Sequence, residues 1–186
     1  MTNPINLKEK TLSSEMICEG KMLRVKRETV ELPDGSQSYR EFILHPGASV
    51  MVPILPDGKV VLVRQYRHPM KMEFYELPAG KLDEGESPLE TAKRELVEEI
   101  GYEGKEFEFV SEFHPCIGYA DEKMWLYLVT GLSKSEKNTD NDEFLENIYI
   151  DFEEAVRWVH EGKITDTKSM LGILLAEKKL KDNLNG

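Results

Sequence analysis

Apolar residues recur along this chain in two rhythms, and each change of rhythm marks an element. KMLRVKRETVEL and SQSYREFILH alternate in part between apolar and polar positions around Pro33-Asp34-Gly35-Ser36. That pattern predicts two strands joined by a tight turn. After the break at His45-Pro46-Gly47-Ala48, ASVMVPIL and KVVLVRQY are almost continuously apolar, with Pro56-Asp57-Gly58 between them. They predict a second, more buried hairpin. EFEFVSEF and KMWLYLVTGL read as further strands on either side of the loop CIGYADE, and the polar stretch Ser133 to Glu143 reads as a loop. The rhythm then lengthens. DFEEAVRWVHEG, with Asp151 at its start and Gly162 at its end, and TDTKSMLGILLAEKKLKD predict two closing helices.

A third helix is signalled most completely. In GKLDEGESPLETAKRELVEEIGY, Ser87 suits an N-cap, Pro88 the first turn and Glu90 the capping box, and Gly101 suits the left-handed C-terminal position. At about 100° per residue, Leu89, Ala92, Leu96 and Ile100 share a packing face. Glu95, Glu98 and Glu99 are expected on the outward side. Like charges three and four residues apart cost an isolated helix roughly 0.2–0.5 kcal/mol per pair. A solvated acidic stripe is one account of them. The other is a cation. Gly80 and Gly85 allow the preceding PAGKLDEGE to fold tightly back, which brings Glu86 to the cluster. Gathered carboxylates suit a hard divalent ion completed by substrate phosphates.

Length and composition bound the rest. With 186 residues the chain carries one main core, here residues 47–186, preceded by a β-rich segment over residues 1–46. Its 35 acidic against 24 basic residues give a net charge of −11, and there is no basic run, which argues against nucleic acid as a partner. Cys18 and Cys116 lack metal-ligand or disulfide-scaffold spacing. MTNPINLKEK has no apolar signal core and no apolar run reaches 18 residues, so a cytoplasmic protein without membrane spans is expected.

The spacing of Gly80, five residues, Glu86, seven residues, Arg94-Glu95-Leu96, one residue, Glu98-Glu99, one residue and Gly101 resembles the Nudix box at every fixed position. Tyr102 stands at the last, usually aliphatic, position. The resemblance implies a Nudix fold, an α/β/α sandwich with a mixed sheet, and hydrolysis of a nucleoside diphosphate linked to another group. It implies Mg²⁺, with Mn²⁺ as a substitute, held in two or three ions by Glu95 and Glu99, with Glu86, Glu98 and the Ala79 carbonyl in support. Arg94 then resembles the family arginine that orients a box glutamate; its alternative is a helix-surface pair with Glu98.

Beyond the box, HPGA, RQYRHP, ELPAG, HPCIGYADE and NDEFLE are similar to the ADP-ribose and nucleoside diphosphate sugar pyrophosphatase branch. Pro115 matches the proline that branch carries after the box. The likeness implies a substrate-phosphate role for Arg67, shared with Arg64 if the strand persists through residue 67, and a substrate or metal-water contact for Glu76. Tyr39 and Tyr66 are candidates to stack on a base, against a packing role for each. Leu44 stands where relatives often carry a basic residue, which leaves nucleotide sugars other than ADP-ribose open. The general base is expected on the loop after the box: Glu143 first, Asp142 second and Glu122 third. In this branch the N-terminal segment exchanges between protomers, so a homodimer is expected. A triphosphate pyrophosphatase and a non-catalytic nucleotide-sugar sensor are the rival readings.

Overall fold

The computed structural model describes residues 5–135 and 144–184. By contact density the chain forms two units, Met1–His45 with Cys116–Glu122, and Pro46–Pro115 with Lys123–Gly186.

The first unit is an antiparallel sheet of β1 (Lys10–Glu19), β2 (Arg24–Glu31) and β3 (Gln37–Leu44), in that order. The β2–β3 hairpin closes at Glu31 opposite Gln37. Asp34 tightens its turn by accepting from the Ser36 amide and hydroxyl, at 3.0 and 2.6 Å. Strand β1 is an addition to the expected elements. All ten of its residues are exposed, so no buried face imposes an alternation that a sequence reader could detect. The loop Cys116–Glu122 runs along β3, where the Ile43 amide donates to the Tyr119 carbonyl at 2.9 Å.

The second unit holds β4 (Ala48–Pro53), β5 (Lys59–Arg67), β6 (Met72–Glu76), β7 (Ala79–Lys81), α1 (Pro88–Ile100) and β8 (Tyr102–Glu103). It continues with β9 (Glu106–Phe113), β10 (Met124–Thr130), β11 (Ser133–Lys134), β12 (Glu146–Asp151), α2 (Phe152–His160) and α3 (Thr167–Leu184). A four-stranded sheet runs β7-β4-β10-β9 and a three-stranded sheet runs β12-β5-β6. The first is mixed, since β4 and β10 are parallel while their outer neighbours are antiparallel.

The expected hairpin of β4 and β5 is therefore not one. Its turn forms, with the Leu55 amide bonded to the Lys59 carbonyl at 2.8 Å. Beyond the single bridge Ile54–Val60, however, the strands part into different sheets. β4 and the first half of β5 are buried on two faces; β4 ladders with β7 and the distant β10, and β5 with the next strand β6 and the distant β12.

Their alternation sorts the core into two layers. Val50, Val52, Val60, Leu62, Leu126 and Leu128 pack with residues of α2 and α3, whereas Met51, Val61, Val63, Tyr127 and Val129 pack with Ala92, Leu96 and Ile100 of α1. The period of two thus puts α1 on one side of the strands and α2 and α3 on the other, an α/β/α arrangement. Each fully buried aliphatic chain adds roughly 1.5–3 kcal/mol. No helix among the described residues is long and apolar enough to cross a membrane.

Candidate functional site

Helix α1 is anchored at both ends. The Glu90 amide donates to the Ser87 hydroxyl and the Ser87 amide to the Glu90 carboxylate, while Gly101 closes the other end at φ 71°. A side chain from β12 adds a further cap: Asn147 Nδ2 donates to the Ile100 carbonyl at 2.8 Å.

One guanidinium organises the acidic cluster. Arg94 donates through Nε and Nη2 to both oxygens of Glu86 at 2.9 Å, and through Nη1 to Glu95 at 2.7 Å and Glu98 at 2.8 Å. Its pairing thus extends well beyond Glu98 alone. Glu86 also accepts from the Thr91 hydroxyl at 2.7 Å and the Asp83 amide at 3.1 Å. Hydrogen bonding from Arg94 dominates over the opposing effect of burial, and with Thr91 and Asp83 it pulls the Glu86 carboxyl down to about 2.

Glu99 departs from the outward position expected of it. It is only 6% exposed and accepts from the Ala79 amide at 3.0 Å. Seven residues of helix bring it back to within about 20° of Ala92, inside the apolar arc. Leu89, assigned to the packing face, is instead partly exposed. Thr91 takes the buried place in that turn, which explains how it reaches Glu86.

Gly80 has a different task from the one its backbone freedom suggested. A Cβ built there would lie 1.8 Å from Cδ and 1.9 Å from Oε1 of Glu95. The missing side chain is the space the Glu95 carboxylate occupies. Gly85, at φ 83°, does use the left-handed region.

Among the described residues, no three His, Cys, Asp or Glu groups converge on one metal position; Arg94 gathers the carboxylates instead. The donors nonetheless fit a hard cation. Glu86, Glu95, Glu98 and Glu99 offer only oxygen, and Gly80 leaves a cradle for one of them.

Arg67 and Glu76 form a second group. Arg67 donates through Nε and Nη2 to the two oxygens of Glu76, each at 2.7 Å. Strand β5 does persist through Arg67, but an interval of three residues turns Arg64 to the opposite face. There it pairs with Glu73 at 3.1 Å and Glu146 at 2.5 Å. Arg64 and Tyr66 line a cavity of about 360 Å³ with Phe144, Leu145 and Glu146. Tyr39 lies exposed on β3, and Glu122 approaches His45 at 3.6 Å, both within the N-terminal unit. Glu143 and Asp142 lie outside the described residues.

Sequence reasoning passed over Thr91, Asn147, Asp166 and Lys168. Only Asp166 and Lys168 left a trace, two charged residues placed just ahead of the apolar run over residues 170–176 near the start of α3.

Comparison with known proteins adds an independent line. The model of the NUDIX domain matches residues 44–170, and that of the nucleoside diphosphate sugar hydrolase N-terminal domain matches residues 9–43. A methanol dehydrogenase activator from Bacillus methanolicus is 41% identical over 89% of this chain and 90% of its own length. An ADP-ribose pyrophosphatase from Bacillus subtilis is 38% identical over 94% and 95%. The crystal structure of an ADP compounds hydrolase superposes with a TM-score of 0.87 over 98% of both chains at 22% identity, a likeness of fold.

Proposed function

Since the chain belongs to the Nudix family and is a hydrolase of that type, we propose that it cleaves the diphosphate of ADP-ribose or a related nucleoside diphosphate sugar into a nucleoside monophosphate and a sugar phosphate. The observation that carries the choice of a sugar diphosphate over a triphosphate is the match of residues 9–43 to the N-terminal domain of nucleoside diphosphate sugar hydrolases. The 38% identity to an ADP-ribose pyrophosphatase supports it.

In this reading Glu95 and Glu99 hold Mg²⁺ or Mn²⁺, with Glu86, Glu98 and the Ala79 carbonyl in support. Once bound, the cation supplies Lewis-acid activation of water and neutralises phosphate charge. Arg94 balances the glutamates and fixes their direction. Arg67, nearly half exposed and held flat against Glu76, presents its guanidinium to a substrate phosphate. Glu143 takes the proton from water, with Asp142 and then Glu122 as alternates. Tyr39 offers a face on which a base can stack, whereas Tyr66 shares the strand face of Arg64, away from Arg67. The N-terminal segment, residues 1–46, joins two copies of the chain.

The test is to incubate the protein and Mg²⁺ with ADP-ribose, several nucleotide sugars and several triphosphates, then resolve the products by chromatography. Monophosphate and sugar phosphate are expected, and ¹⁸O water locates the attacked phosphorus. Turnover confined to triphosphates, or binding without turnover, overturns the reading. The relative named as a methanol dehydrogenase activator favours a second one, in which the same site serves to activate a dehydrogenase. Adding the chain to methanol dehydrogenase, with and without Glu99→Gln, tests it: stimulation by the unaltered chain alone supports it.

A further inference from the structure

Behind the Arg67–Glu76 pair lies a set of buried polar groups with no part in the reading above. Lys168, at the start of α3, donates through Nζ to Oε2 of Glu76 and, at 2.7 Å, to Asp166. Asp166 also accepts from the Ser169 amide at 3.1 Å and the Ser169 hydroxyl at 2.6 Å. The same hydroxyl accepts from the Leu77 amide at 2.7 Å. Glu76 is 2% exposed, and the Lys168 side chain is 9% exposed.

Burying Glu76, Lys168 and Ser169, with Asp166 half-buried beside them, is costly unless they are fully partnered and geometrically fixed. Here they are. Oε2 of Glu76 is held by Lys168 and by Nη2 of Arg67, while among the described residues Oε1 takes the Arg67 Nε alone. The carboxylate plane is therefore pinned from behind, and the guanidinium lies against it in a two-bond fork. A guanidinium has five N–H donors. Among the described residues two of those of Arg67 are engaged, and its side chain is 46% exposed. Lys168 and Arg67 together balance Glu76 and Asp166, and Glu99 adds a third carboxylate within electrostatic reach of Arg67.

We propose that Lys168, fixed by Asp166, is the positioning residue for Arg67: it holds Glu76 in one orientation and balances its charge, so that the guanidinium faces a substrate phosphate. This rests on the diphosphate-hydrolase reading. With Lys168 replaced by Met, two carboxylates confront one guanidinium. Glu76 loses the partner that fixes its plane. Arg67 is then drawn inward, and an incoming diphosphate meets net negative charge in a chain already at −11.

The experiment compares Lys168→Met, Lys168→Gln and Lys168→Arg, each alone and in an Arg67→Ala background, with ADP-ribose and Mg²⁺. The uncharged variants are expected to raise KM by about tenfold while kcat changes less than about threefold, the pattern of lost phosphate binding. Lys168→Arg keeps the charge and is expected to stay near the unaltered KM. In the Arg67→Ala background the uncharged variants should add nothing further. A lower kcat and melting temperature at unchanged KM, or a full effect without Arg67, overturns the proposal. Exchange of the Arg67 Nε proton, followed by NMR without metal or substrate, gives an answer that does not need turnover. It should be slow in the unaltered chain and fast in Lys168→Gln; equal rates overturn the positioning role. If the unaltered chain hydrolyses no diphosphate sugar, the functional reading fails and the proton-exchange result still judges Lys168.

Discussion

Gly80 shows how one absent methyl group shapes the acidic cluster. Any Cβ there must displace the Glu95 carboxylate, which is the flexible partner in the clash. We therefore expect Gly80→Ala to fold and to raise the Mg²⁺ concentration for half-maximal rate by roughly tenfold or more, the usual penalty for disturbing a ligand's support. A Mg²⁺ titration of the rate decides it, and an unchanged midpoint would remove Glu95 from the proposed ligand set. Glu86 supports a second expectation. Its carboxyl lies at about 2 in the folded chain against an ordinary 4.5, chiefly through Arg94. Between those values the unfolded chain binds the extra proton, so stability is complete above about 4.5 and falls as pH drops toward 2. Melting temperature against pH, without metal, should fall more steeply for the unaltered chain than for Glu86→Gln. Parallel curves would contradict the pairing. The glutamates themselves were legible because their spacing is local. The burial of Glu99 was available from the same helical period but hidden by its charge, while the Lys168 network joins residues 92 positions apart and gave no readable spacing.

At the scale of the element, α1 is the part of the fold most completely written in the sequence. Ser87, Pro88, Glu90 and Gly101 each occupy the position their chemistry dictates. Gly101 sits at φ 71°, where a side chain costs about 1 kcal/mol or more. For a chain of this size that corresponds to about 2–4 °C. Gly101→Ala and Ser87→Ala should each lower the melting temperature by about that amount, measured by circular dichroism, and together by about the sum, since they stand at opposite ends of the helix. No change in Gly101→Ala would mean the C-terminus of α1 relaxes without it. The strands were legible one by one and not in their pairing. The Pro56-Asp57-Gly58 turn forms as read, yet β4 and β5 join different sheets. Turn chemistry is a property of four residues, whereas ladder partners such as β10 for β4 are chosen by burial across the whole unit.

For the whole molecule the open question is how the N-terminal sheet is satisfied. Leu12, Met16 and Ile17 of β1 are each about 40% exposed, Met22 and Leu23 beyond it are exposed as well, and β1 forms one edge of its sheet. An exposed edge with apolar side chains invites pairing with another chain. We expect the partner to be a second copy. A stable interface of that kind buries about 1,200–2,000 Å². Charge opposes it, because each copy brings −11. Salt screens that repulsion over about 10 Å at 0.1 M while leaving apolar burial intact. The dimer should therefore tighten as ionic strength rises, the reverse of an interface held by ion pairs. Sedimentation at micromolar concentration should give twice the chain mass of 21.4 kDa. Met16→Asp with Leu12→Asp should shift it to the single-chain value at low salt first. A monomer at every salt concentration, or a dimer that loosens with salt, would show that this sheet is not what joins the copies.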